Sequence, residues 1–161
     1  MTHRLALPLS LTLMLAATRA DAGPYIGASA QYTTFGFRDY NGLPQHGGGF
    51  TVHAGWRIGH AAIEGGYEAA GADHVSLGGE TADILAFWSR GTVSPFLTAG
   101  VANLDAESRA PGNLFHESGL AWRLGAGMQF HAARLTARYE GMGFHDTHYA
   151  ITVNLGLELG P

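Results

Sequence analysis

The sequence predicts an all-β fold, an eight-stranded antiparallel up-and-down barrel, and three observations carry that prediction. Eight segments alternate apolar and polar residues with period two, and no segment beyond residue 22 shows a 3.6-residue apolar stripe. The connections between these segments alternate long and short along the chain. Glycine is abundant, 24 of 161 residues, and gathers on the polar faces of the alternating segments.

In chain order, YIGASAQYTTF (25–35) sets Ile26, Ala28, Ala30 and Tyr32 against Gly27, Ser29, Gln31 and Thr33. FTVHAGWRIG (50–59) sets Phe50, Val52, Ala54, Trp56 and Ile58 against Thr51, His53, Gly55 and Arg57. AAIEGGYEA (61–69) opposes Ile63, Gly65 and Tyr67 to Glu64, Gly66 and Glu68. TADILAFWS (81–89) is less regular, because Leu85 and Phe87 share a face with Asp83. SPFLTAGVAN (94–103) offers Leu97, Ala99 and Val101 against Thr98, Gly100 and Ala102. GLAWRLGAGMQFH (119–131) alternates almost without fault, with Leu120, Trp122, Leu124, Ala126, Met128 and Phe130 on one face and Ala121, Arg123, Gly125, Gly127 and Gln129 on the other. LTARYEGMG (135–143) sets Leu135, Ala137 and Tyr139 against Thr136, Arg138 and Glu140. YAITVNLGLEL (149–159) sets Ile151, Val153, Leu155, Leu157 and Leu159 against Thr152, Asn154, Gly156 and Glu158. Long loops are expected at 38–48, 70–80, 104–118 and 144–148, and short turns at Gly59 and His60, at Arg90 and Gly91, and at Ala132 and Ala133.

Composition narrows the class. Only 14% of residues are charged, mean hydropathy is close to zero, and the net charge of −4 leaves no basic footprint for nucleic acid. With no cysteine there are neither disulfides nor thiolate metal sites. The N-terminus reads as an export signal: Arg4, an apolar run from Leu5 to about Ala17, and the A-x-A site Ala20, Asp21, Ala22. The expected organisation is a signal peptide at 1–22, removed after Ala22, and one barrel domain at 23–161. The apolar run is too short to span a bilayer, and none of that length follows it.

Two secreted barrels fit an even number of antiparallel strands: a soluble, lipocalin-like barrel with its apolar faces inside, and a transmembrane barrel with those faces turned to lipid. The polar faces decide between them. An eight-stranded barrel has an interior just wide enough for side chains, so bulky inward arginines need empty neighbours. Gly27, Gly55, Gly66, Gly100, Gly125, Gly127 and Gly156 lie on the polar faces and supply them. An arginine facing lipid at mid-membrane costs about 2–4 kcal/mol, which favours placing these residues inside. The predicted interior network is Arg57, Glu64, Glu68, Asp83, Arg123, Arg138, Glu140 and Glu158, with Arg138 and Glu140 near Arg123 and Glu158. Two aromatic girdles follow: Trp56, Trp88 and Phe130 by the short turns, and Tyr32, Trp122 and Tyr149 by the long loops.

GLAWRLGAGMQFHAARLTARYEGM resembles the penultimate hairpin of small outer-membrane β-barrel proteins of the OmpA-like and OmpX/Ail-like kind, and SPFLTAGVA and PYIGASAQY are similar to strands of that family. The resemblance runs over the whole of 23–161 as loose alternation. It implies the outer membrane of a Gram-negative bacterium reached by Sec-type export, periplasmic short turns and cell-surface loops. Outer-membrane lipid, lipopolysaccharide and the barrel-assembly machinery are the implied partners. Family members usually end in an aromatic residue, whereas this chain ends LGLELGP: either Leu159 serves instead, or assembly is less efficient, or the terminus has been altered.

A plugged structural or surface-interaction barrel without catalysis is the expected function. The alternatives are a narrow or gated pore and a lipid A-modifying enzyme. For the enzyme, the seventh segment lacks a His-x-Ser and no Asp-Ser pair occurs anywhere in the chain. His46, His74, His116, His145 and His148 fall in or beside the long loops, and HDTH brings His145 and His148 close to Asp146. Their spacing is not a helical i, i+4 pair, and no metal or other cofactor is assigned. Tyr40, Leu43, Leu77, Leu114 and Phe115 are apolar loop residues available to a surface ligand of unknown chemistry.

Overall fold

The computed structural model describes residues 22–37, 46–143 and 147–160, so the expected export segment lies outside the described residues. Eight strands follow one another: β1 (Ala22–Phe37), β2 (His46–Ile58), β3 (Ala61–Ala72), β4 (Val75–Phe87), β5 (Val93–Ala110), β6 (Asn113–Phe130), β7 (Ala133–Met142) and β8 (Thr147–Leu159). Each pairs antiparallel with its sequence neighbours, and β8 closes on β1, from Ile26 opposite Leu159 to Phe37 opposite Thr147. The transmembrane barrel predicted from alternation is therefore closed, with no free sheet edge.

The register sets the tilt. The ring that starts at Tyr25 passes through Gly55, Glu64, Asp83, Gly100, Arg123, Glu140 and Ala150 and returns to β1 at Phe35, ten residues beyond its origin. Such a stagger requires strands inclined by about 40° to the barrel axis. Inward and outward faces then alternate as expected: Ile26, Trp56, Ile63, Ile84, Val101, Leu124 and Leu155 stand exposed on the outside, while Arg123 and Glu140 are fully buried.

Two of the expected long loops are not loops. The segment 70–80 is strand on both sides of a two-residue turn at Asp73 and His74, and 104–118 is strand on both sides of Pro111 and Gly112. Asp73 (φ 41°) and Gly112 (φ +87°) take the left-handed conformation that such hairpin turns require. The misreading has a physical cause. Beyond the lipid the solvent rule returns, with apolar residues inside and polar ones outside, so the alternation continues with its sign reversed. Leu77, Leu104 and Ala106 point in and are buried, whereas Ser76, Asp105 and His116 point out. Leu77, expected to be a loop residue available to ligands, is thus interior; Phe115 packs half-buried against the same cluster and Leu114 is exposed. The turn expected at Arg90 and Gly91 extends over 88–92, and that at Ala132 and Ala133 lies at His131 and Ala132. Tyr40 and Leu43 lie outside the described residues.

The interior is layered. Tyr25, Ala62, Leu85, Phe87 and Phe96 form an apolar cluster at the short-turn end. Phe35, Leu77, Leu104, Ala121 and Met142 belong to a second cluster at the loop end. Asp83 shares its inward face with Leu85 and Phe87 because β4 crosses from the polar layer into the lower apolar one.

Candidate functional site

Between these clusters lies a charged layer, the densest grouping of ion pairs among the described residues. It follows from the closing register. Glu64 and Asp83 are direct partners on β3 and β4, and Arg123 and Glu140 on β6 and β7; Gly100 of β5 separates the two pairs. A Cβ on Gly100 would collide with the Asp83 carboxylate, so it is the missing side chain that lets Arg123 and Asp83 meet. Arg123 then reaches three carboxylates: Nη2 to Glu68 Oε2 at 2.9 Å, Nε to Glu140 Oε1 at 3.2 Å and Nη1 to Asp83 Oδ2 at 3.4 Å. Arg138 adds a contact to Asp83 Oδ2 at 3.6 Å.

A second group lies nearer the short turns. Arg134 Nη1 donates to Glu64 Oε2 at 2.7 Å and to Glu158 Oε2 at 3.0 Å. Gln129 Nε2 donates to Glu158 Oε1 at 2.6 Å, and its own carbonyl accepts from Arg57 Nη1 at 3.2 Å. The Arg57 guanidinium covers the Phe87 ring at 3.9 Å, which ties the charged layer to the apolar cluster beneath it. His53 Nε2 stands 3.9 Å from Glu158 Oε2. Toward the loops, Thr51 donates to Gln31 at 2.8 Å and Gln31 to Thr33 at 2.9 Å, a neutral hydrogen-bonded tier.

All eight residues assigned to the interior network thus point inward, but their pairing differs from the expected one. Glu158 meets Arg134 and Gln129, not Arg123 or Arg138. Arg134 stands outside the predicted network because it lies one residue before the alternating segment 135–143; its parity with Thr136, Arg138 and Glu140 is the signal that marks it as inward. His53, Gln31 and Asn154 are further interior polar residues that a search for charge alone does not find. The inward glycines sit beside the bulky groups. A Cβ on Gly125 would stand 2.6 Å from Arg138 Cγ, and one on Gly127 or Gly27 would overlap the Phe96 or His53 ring. Among these side chains lies a cavity of about 20 Å³, room for about one water.

On the outer surface Tyr32, Trp56, Trp88, Trp122, Phe130 and Tyr149 are all exposed. Trp122 is not beside a loop, since β6 continues past it to Asn113; its ring meets that of Tyr139 at a tilt, with centroids 5.3 Å apart, and Tyr139 stacks on Tyr149 at 5.8 Å. Trp122 folds over Gly141 and Tyr149 over Gly36, the absent side chains giving each ring its seat. Of the loop histidines, His46 begins β2 and stacks on Tyr32, His74 is in a turn, and His116 lies on β6 opposite Glu107. His145 and the side chain of His148 lie outside the described residues. Among the described residues no three His, Asp or Glu side chains gather as a metal site.

Comparison with known proteins adds the following. The outer membrane protein β-barrel domain matches residues 5–159. A comparison with curated proteins gives no match. Among solved structures, Neisserial surface protein A is similar with a TM-score of 0.68 at 16% identity, covering 88% of this chain and 100% of that one. The N-terminal β-barrel domain of Pseudomonas aeruginosa OprF follows at 0.58 and 13%, covering 84% and 97%. Ail, the attachment invasion locus protein of Yersinia pestis, in complex with the heparin analogue sucrose octasulfate, matches at 0.52 and 15%, covering 88% and 100%. At these identities the likeness is one of fold.

Proposed function

From the premise that the chain belongs to the outer membrane protein β-barrel domain family, we propose that it is a plugged, non-catalytic barrel of the Gram-negative outer membrane that presents surface hairpins. The observation that carries this reading is Arg123, fully buried and shared among three carboxylates, with apolar clusters above and below it. A lumen filled in this way supports a structural wall element and argues against a standing pore. Residues 1–22 would direct Sec-type export and leave 23–161 for the assembly machinery, with lipid and lipopolysaccharide around the barrel.

The non-catalytic reading is supported by the sequence, whose seventh segment has no His-x-Ser and which holds no Asp-Ser pair, and two of the serines stand far from where such chemistry would occur. Ser89 donates to the carbonyl of Val93 and Ser94 to that of Gly91, both at the short-turn end, away from the outer leaflet where lipid A chemistry takes place. A sulfated polyanion such as the one held by Ail is not the ligand we assign. The tall β5–β6 hairpin carries Asp105, Glu107 and Glu117, and its Arg109 is tied to Glu107 at 2.7 Å. The test is planar-bilayer recording on the refolded mature chain. The expected result is insertion, shown by a heat-modifiable gel band, without stable conductance steps; regular open-channel steps would overturn the plugged reading.

A further inference from the structure

The apolar belt around the barrel is not of one height. On β8 it runs from Tyr149 to Leu159, and on β6 from Leu120 to Phe130. On β4 and the residue that follows it the outward apolar residues are Ala82, Ile84, Ala86 and Trp88, and the next outward positions toward the loop end are Glu80, Gly78 and Ser76. A strand inclined by about 40° climbs about 2.5 Å of barrel axis per residue, so the belt is about 25 Å tall on β6 and β8 but about 15 Å on β4. The apolar band of an outer-membrane barrel is about 25 Å. One wall is therefore short.

The register sharpens the contrast. Glu80 pairs with Asn103 of β5, and Asn103 with Leu120 of β6. This ring climbs toward the loop end by about 3 Å per strand. Leu120 thus stands higher than Glu80, yet it is a bare apolar side chain, 72% exposed. Rigid tilting of the barrel does not reconcile the two walls. Trp56, Trp88 and Phe130 mark a lower edge level to within about 4 Å, and raising β4 would carry the exposed Arg90 into hydrocarbon.

We propose that the β3–β5 wall draws the polar headgroups of the outer leaflet down to Glu80 and Asn103, thinning the bilayer along this wall while it keeps full thickness against β6 and β8. A groove of about 500 Å³ lies on this wall, edged by Phe50 and Tyr67 and flanked by Asp105, Glu107 and His116. A short apolar face is relieved either by local thinning or by association with another protein. The polar flank favours hydrated headgroups, because a protein partner would have to desolvate Glu80, Asp105 and Glu107 together.

The inference rests on the membrane reading above, and the test separates the two. The chain has no cysteine, so single nitroxides at Asn103→Cys and Leu120→Cys report depth in dioleoylphosphatidylcholine vesicles through collisions with oxygen and with a water-soluble nickel chelate. The expected result is a label at 103 reached mainly by the chelate and a label at 120, although higher on the barrel, reached mainly by oxygen. Oxygen-dominated labels at both positions would overturn the thinning. So would a label at 103 shielded from both reagents and dipole-coupled to a second copy. Chelate-dominated labels at both positions would overturn the membrane placement itself.

Discussion

Replacing Arg123 by Met keeps most of the side-chain volume and removes the one charge that Glu68, Asp83 and Glu140 share at 2.9–3.4 Å. Asp83 retains Arg138 at 3.6 Å, so two of the three carboxylates lose the cation they meet in the charged layer. Removing one partner of a buried ion pair costs about 3–5 kcal/mol, because the remaining charge stays desolvated and uncompensated. Repulsion among the three carboxylates places Arg123→Met at the upper part of that range, a large share of the 5–15 kcal/mol that typically holds a domain together. The assay is urea unfolding of the protein in lipid vesicles, followed by tryptophan fluorescence and by the shift between folded and unfolded gel bands. A second arm isolates the cause. Adding Glu140→Gln to Arg123→Met removes one of the stranded charges and should recover more than about 1 kcal/mol, which an additive pair of lesions would not do. A loss below about 1 kcal/mol in the single variant, or no recovery in the double, would refute the account of Arg123 as the charge centre of the barrel.

Two further variants probe the packing around this centre. Gly100→Ala puts a methyl group against the Asp83 carboxylate and the Ala82 carbonyl, and it should cost about 1–3 kcal/mol in the same unfolding assay; a neutral result would show that the Asp83–Arg123 contact does not depend on that gap. Leu104→Ala removes a fully buried side chain from the loop-end cluster and should cost about 2–5 kcal/mol, whereas a residue in a surface loop would cost next to nothing.

Period-two alternation was enough for the class, the number of strands and the sense of the faces. Arg123 shares its face with Gly125 and Gly127, Arg138 packs across the strand pair against Gly125, and these faces turn inward, because an eight-stranded wall cannot close over large polar groups without gaps beside them. The extents of the strands were harder to read. The rule relating polarity to direction changes sign where lipid gives way to water, and Leu77 and Leu104 look like loop residues to a reader who expects apolar groups outside. Arg134 is hard to read for a smaller reason: it lies just after the turn at His131 and Ala132, before the apolar alternation of β7 sets in at Leu135.

What the sequence by itself determined was a closed, lipid-facing barrel with a polar, glycine-spaced interior, because alternation is a local property that each strand carries alone. Which charges meet was decided only by the tertiary structure. The ten-residue stagger carries Glu64, Asp83, Arg123 and Glu140 onto a single ring and sends Glu158 to Arg134 instead of Arg138. Stagger is a property of the closed sheet as a whole, and no single strand encodes it.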